Sequence, residues 1–408
     1  MRMRCYRSQT ILSLQLLALH LCLAATASVA YGDGGFLPPI NYAGKDLTEP
    51  AQRAVVVHVN TREILHLFVD YHGDADNFAW IIPCPSKPKV RETSVDIFKE
   101  VAEYYRHLQM SPWSRSHRGP ARGGIGGGGD RLANDYQVIV HSMKVLGPYG
   151  ISIVSAQKES GLLMWLEDNG YSIPKRAEPI LKTYIAEKWF FVAVKIHTDP
   201  TTVQSLPPLA IEFTTGRPIY PIRISALNSG ATDIRAYFFR KGPRVTRDRA
   251  KRKGTQGEPM YTVRSDFSSQ CPTLAKELPE INWEHMELAR VADVLVPQVM
   301  SKLDDRLHGA SFYTKRTVAK TVGIAEALLS ANKAEVEWAE RNLGYYYKVK
   351  YRSGQMPEEH AEELKRVATR LGAPLITKLQ SYMRQDSYWA RSRGAKVLLD
   401  YATERTNQ

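Results

Sequence analysis

Between Ala54 and Phe239 apolar residues recur at every second position in short runs, the period of a strand with one buried face. These runs predict strands over residues 54–59, 64–71, 77–82, 136–143, 151–155, 189–197, 209–214, 219–226 and 234–239. Val192, Val194 and Ile196, set against Ala193, Lys195 and His197, show the pattern most clearly and predict an antiparallel sheet with one wet face. Gly73-Asp74, Gly147-Pro148-Tyr149-Gly150, Pro207-Pro208 and Asn228-Ser229-Gly230 supply the backbone angles and missing donors that end strands. The densest block is Tyr71 to Pro85, YHGDADNFAWIIPCP. It predicts a turn holding Asp74 and Asp76, then a strand that buries Phe78, Trp80 and Ile82 on one face.

Helical periods interrupt the strands three times. The first starts at Thr93, a capping hydroxyl with Asp96 three residues on, and places Ile97, Val101, Tyr104 or Tyr105, and Leu108 on one face. The second runs over 160–169 from Ser160 to a stop at Gly170, with Trp165 expected in the core, and the third covers 179–187. Past residue 275 the period is helical: 282–307 interrupted at Pro297, then 314–331, 334–351, 357–371 and 375–401. On the fourth of these Ala361, Leu364, Val367 or Ala368, and Leu371 form one stripe, and Tyr345, Tyr346 and Tyr347 cannot all face inward. The expected fold class is α+β, a mainly antiparallel, sandwich-like sheet domain with a few covering helices, followed by a C-terminal α-helical bundle. The boundaries read as a leader over 1–30, a β-rich domain over 31–250, a basic and polar linker over 251–274 and a helical region over 275–408. A Gly- and Arg-rich loop over 111–135 sits inside the β-rich domain.

The first residues change the picture of compartment. MRMRCYRS carries three arginines and no acid, an apolar run follows, and Ser28-x-Ala30 fits the small-residue cleavage rule, so cleavage is expected between Ala30 and Tyr31. Leu21 and His20 precede Cys22, which argues against a lipid anchor. The chain after the leader is then expected to be extracytoplasmic, periplasmic or secreted. Arg2, Arg4 and Arg7 account for three of the formal +13, leaving +10 from Tyr31 onward, a charge suited to wall polymers, lipopolysaccharide or anionic lipid. Much of the excess lies in RKGPRVTRDRAKRK, where Arg240, Lys241, Arg244, Arg247, Arg249, Lys251, Arg252 and Lys253 form a candidate anion-binding run that also reads as a solvated loop. Nucleic acid is not an expected partner of an exported chain.

Catalytic chemistry has little support in the spacing. The chain has no HExxH, paired CxxC or GxSxG motif, so neither a local zinc site nor a serine hydrolase elbow is encoded, and no cofactor is expected. GGIGGGG follows no strand and lacks the Lys-Ser/Thr pair of a phosphate loop. His58 and His66 stand on neighbouring predicted strands, where they either approach each other or remain two separate histidines. Cys84 and Cys271 remain after the leader; they either form a disulfide or stand as two buried thiols, and Cys84 is also a possible nucleophile. Asp70, Asp74 and Asp76 cluster without the spacing of a calcium loop.

Six blocks in order carry a resemblance: AQRAVVVHV, YHGDADNFAWIIPCPSKP, GPYGISIVSA, WLEDNGYSIP, KWFFVAVKI and PLAIEFTTGRPIYPIRISA. Together, over about residues 33–245, the chain resembles a bacterial family of exported proteins known only as a domain of unknown function. The resemblance implies an exported bacterial protein and carries over no catalytic residue. Members often open with a Cys-Gly-Gly-Phe-Phe-like motif, whereas Asp33, Gly34, Gly35, Phe36 and Leu37 stand here, so no role of that cysteine applies. Two functions follow as expectations. One is a non-catalytic envelope protein that binds or organises an anionic polymer or another envelope protein; the other is an extracytoplasmic hydrolase assembled around Cys84 or the acids from Asp70 to Asp76.

Overall fold

The computed structural model describes residues 35–40, 51–69, 77–110, 138–197, 206–241, 260–305, 307–308, 311–312, 316–344, 358–385 and 389–403. Its main strands are β1 (Gly35–Leu37), β2 (Ala51–Val59), β3 (Arg62–Val69), β4 (Asn77–Cys84), β5 (Lys89–Glu92), β6 (Val138–Leu146), β7 (Tyr149–Ala156), β8 (Phe190–His197), β9 (Leu209–Thr214), β10 (Thr232–Lys241), β11 (Tyr261–Thr262) and β12 (Met286–Leu295). Its helices are α1 (Asp96–Met110), α2 (Glu159–Asp168), α3 (Ala177–Ala186), α4 (Phe267–Gln270), α5 (Pro272–Glu277), α6 (Pro297–Met300), α7 (Arg316–Ala327), α8 (Lys333–Asn342), α9 (Glu358–Gln385) and α10 (Trp389–Thr403). One sheet has the order β1-β4-β8-β7-β6 and is antiparallel throughout; the other has the order β11-β12-β10-β2-β3-β9-β5. In the second sheet β10 runs parallel to β2 and every other neighbour is antiparallel. The fold is thus the α+β arrangement expected, with antiparallel sheets followed by a helical bundle of α7 to α10.

On β8 the expected alternation holds, with Lys195 exposed between buried Val194 and Ile196, but the seven-stranded sheet is covered on both faces at β2. Ala54 and Val56 of β2 pack into the core shared with the five-stranded sheet, while Val55 and Val57 pack into a second core beneath α1, α4 and α5. That is why the VVV run is apolar without alternation: a strand covered on both sides has no polar face to show. The FAWII block behaves likewise. Phe78, Trp80 and Ile82 are buried as expected, and so are Ala79 and Ile81 between them. The Phe36 ring meets Phe78 edge-on at 5.1 Å and Trp80 at 6.3 Å, which fixes β1 against β4. Trp165 is only half-buried, packed at the margin of the core.

Four sequence expectations change. The helix expected over 282–307 is a 3-10 turn (Trp283–His285), then β12, then the short α6. MELARVADVL has helix-forming composition, but ten residues of β12 pair with β10 and tertiary pairing outweighs propensity. The sheet region therefore reaches Leu295, and the span 275–408 is not wholly helical. The strand expected over 219–226 is instead a 3-10 turn, Arg223–Leu227, because Pro218 and Pro221 have no N–H to give a ladder. At α1 the cap is Ser94, whose Oγ accepts the Asp96 N–H at 3.2 Å, while Thr93 donates its hydroxyl to Glu277 at 2.7 Å. The helix after Leu375 ends at Gln385, and α10 starts afresh at Trp389. The break expected at Gly372 is present as non-helical backbone of φ 57° and ψ −145°, which divides α9 into two helical segments. Residues 111–135 and Tyr345 to Tyr347 lie outside the described residues.

One apolar core runs from the five-stranded sheet through the Arg223–Leu227 turn into the bundle, where Trp338, Leu364, Val367, Leu375, Leu379 and Leu398 continue it. The bundle is docked on the sheet region by directed bonds as well. The Trp338 indole N–H donates to the Val294 carbonyl at 2.9 Å.

Candidate functional site

A cleft of about 870 Å³ opens where α3 and the Arg223–Leu227 turn face α6, α7 and the start of α8. That volume lies in the range of sites that hold small ligands. Its far wall is set by the α8 N-terminus. Asn332 caps this helix, its side-chain oxygen accepting the Ala334 N–H at 2.9 Å and the Glu335 N–H at 3.4 Å. The cap turns Glu335 inward, and its buried carboxylate accepts the Gly230 N–H at 3.1 Å, the Ser330 hydroxyl at 2.5 Å and the Gln298 amide at 2.5 Å. Gly230 has φ 94°, a left-handed conformation that glycine adopts without strain. One side chain thereby joins the turn before β10, α6 and α8.

The near wall carries cations. Arg176 donates from Nε at 2.9 Å and from Nη2 at 2.5 Å to the Leu227 carbonyl, and among the described residues no carboxylate pairs with it. Arg223 donates from Nε to Asp305 at 2.9 Å, its backbone N–H reaches the same carboxylate at 2.9 Å, and its guanidinium lies 4.6 Å from the Tyr184 ring centre. Burial lifts the Asp305 carboxyl above its ordinary range, against the opposing pull of Arg223. Lys302 is held by the Gln298 carbonyl at 3.0 Å and by Glu326 at 2.7 Å. Lys333, on the α8 rim, is largely exposed, with Glu337 3.8 Å away. Glu335 and Glu326 are thus committed to protein donors, whereas Arg176 lines the cleft with no carboxylate partner among the described residues and Lys333 lies at its rim beside Glu337. No histidine or cysteine lines the cleft. Of its charged lining residues, Arg176, Arg223, Lys302 and Lys333 are basic and Glu326 and Glu335 acidic.

The residues singled out in the sequence fall elsewhere. Cys84 and Cys271 are two free, buried thiols in different cores. Burial, reinforced by Glu63, pushes the Cys84 thiol well above its ordinary range, which removes the thiolate a nucleophile needs. Burial does the same to Cys271, with Glu100 next in effect. His58 and His66 do not meet, for His58 stands opposite Glu63 and His66 opposite Val55, on opposite faces of the sheet. The His58 ring nitrogen lies 3.2 Å from the Thr215 carbonyl, and His66 Nδ1 lies 3.2 Å from the Thr93 hydroxyl and 3.5 Å from Glu277. Of the basic run, Arg240 is paired with Glu287 at 3.0 Å and Lys241 is exposed at the end of β10; Arg244, Arg247, Arg249, Lys251, Arg252 and Lys253 lie outside the described residues. So do Asp70, Asp74, Asp76, Ala30 and Tyr31. Among the described residues no group of three His, Cys, Asp or Glu side chains is placed to hold a metal ion. Sequence reasoning missed Arg176, Arg223 and Glu335. Of these, Asn332-x-x-Glu335 carries the spacing of a helix start that could have pointed to α8.

No curated protein sequence matches the chain. A solved structure titled as the crystal structure of baculovirus P35 covers 53% of this chain and 78% of its own at 10% identity, with a TM-score of 0.28, a likeness too slight to support an argument. The model of a family described as uncharacterized protein conserved in bacteria (DUF2330) matches residues 34–308, reaching past β12. With more than half of its length matched, the chain belongs to this bacterial family of unknown function.

Proposed function

We propose that the protein is exported and works without catalysis in the bacterial envelope, holding an anionic polymer or the anionic group of a partner in the cleft beside Arg176. The observation that carries this reading is the division of charge there: Glu335, Glu326 and Asp305 are all engaged by protein groups, while Arg176 is positioned by the Leu227 carbonyl and lacks a carboxylate partner among the described residues. A guanidinium so held presents its remaining donors in the fork that carboxylate and phosphate groups accept. The leader read at 1–30 and the +10 charge from Tyr31 onward support the same compartment and ligand class. The hydrolase alternative loses its cysteine version to the burial of Cys84.

Retention of the purified chain on immobilised wall polymer tests the proposal. Strong retention at about 0.01 M salt that collapses at about 0.15 M is expected, because the screening length falls from about 30 Å to about 8 Å over that range. Elution that ignores salt would contradict it.

A further inference from the structure

A sheet that ends in an open strand exposes a row of backbone N–H and C=O groups, and folded chains usually keep such strands short or charged. Among the described residues, three of the four terminal strands of the five- and seven-stranded sheets follow that rule, with three residues in β1, four in β5 and two in β11. β6 does not. It has nine residues, VIVHSMKVL, and among the described residues it pairs only with β7. Met143 and Val145 are 75% and 78% exposed and Val140 is 42% exposed. The pairing with β7 slips between Val140 and Ser142, which shifts the alternation by one residue. Val138, Val140, Met143 and Val145 consequently stand on one face, opposite Ala156, Val154, Ser152 and Gly150 of β7.

We propose that β6 is an interface between two copies of this chain, pairing antiparallel with itself about a two-fold axis and joining two five-stranded sheets into one. The strand's own order of residues selects a second copy as its partner. With the axis passing between His141 and Ser142, the slip in each strand faces the slip in the other. Val140 then lies opposite Met143 and Val138 opposite Val145, all on the same face, as aliphatic pairs that stabilise a sheet. Lys144 is the one fixed charge of the strand, and this axis sets it opposite Ile139 rather than its own copy. Because both partners use the same patch, the contact closes at two chains and does not propagate into a fibre.

Sedimentation equilibrium of the purified chain, with far-UV circular dichroism as a check on folding, tests the pairing and its register together. The parent chain is expected to be a dimer. V140K/M143K places lysines opposite lysines twice and is expected to raise the dimer dissociation constant by at least about tenfold, whereas V140E/M143K places glutamate opposite lysine and is expected to keep the dimer. A parent chain that is monomeric at every concentration reached overturns the proposal. A dimer unaffected by V140K/M143K, or one dissociated equally by both variants, overturns it as well.

Discussion

Glu63 and His66 stand three residues apart on β3, one on each face of the seven-stranded sheet, and both are fully buried. Burial lifts the Glu63 carboxyl well above its ordinary range, although the Ile219 N–H, 2.9 Å away, pulls the other way. The folded state then holds a proton that the unfolded chain releases near pH 4.5, so this group's contribution is full below that pH and is lost as pH rises toward the folded value. Burial, with the Arg91 charge second, lowers His66 to about 3. Here the unfolded chain takes up the proton first, so stability is full above about pH 6.5 and falls as pH drops toward about 3. Denaturant unfolding of Glu63→Gln is expected to lose the decline that sets in as pH rises above 4.5, which for one proton is at most about 1.4 kcal/mol per pH unit. His66→Asn is expected to flatten the acid side instead. Unaltered pH profiles in both variants would contradict these assignments. The same burial governs the thiols: in a chain starting at Tyr31, Cys84 and Cys271 should react with a thiol reagent only after unfolding.

At the scale of elements, α10 approaches the end of α8 so closely that Gly394 has no room for a side chain. A β-carbon there would lie 2.0 Å from the Leu343 carbonyl oxygen and 2.5 Å from its carbon, and backbone cannot swing aside as a side chain can. Gly394→Ala is expected to cost about 1–3 kcal/mol, read as a lower denaturation midpoint with an unchanged slope. The sequence carried the elements unevenly. β9 appears at its expected bounds, and β2, β3, β4, β7, β8 and β10 within a few residues, because period two and the flanking Gly and Pro are local signals. β12 was illegible because its strand state comes from β10, more than forty residues earlier in the chain. The Arg223–Leu227 turn was misread because an apolar run without clean period gives no information on which backbone state buries it. Of the cleft, the Asn228-Ser229-Gly230 turn was visible and its partner Glu335 was not, since a bond across about a hundred residues leaves no local trace.

At the scale of the whole molecule, Glu335 links the sheet region to the bundle. Glu335→Ala would leave the Gly230 N–H, the Ser330 hydroxyl and the Gln298 amide without their shared acceptor, a loss of about 2–4 kcal/mol in thermal or denaturant unfolding. The variant should also weaken polymer retention, because the far wall of the cleft depends on that bond. Arg176 differs: it lies exposed on the near wall and can be removed with little effect on folding. The most direct measurement is therefore the retention of Arg176→Ala and Lys333→Ala on immobilised wall polymer at low salt, beside their melting temperatures. An anion-holding cleft predicts early elution of both variants with melting temperatures close to that of the parent chain; parent-like retention in both would contradict it.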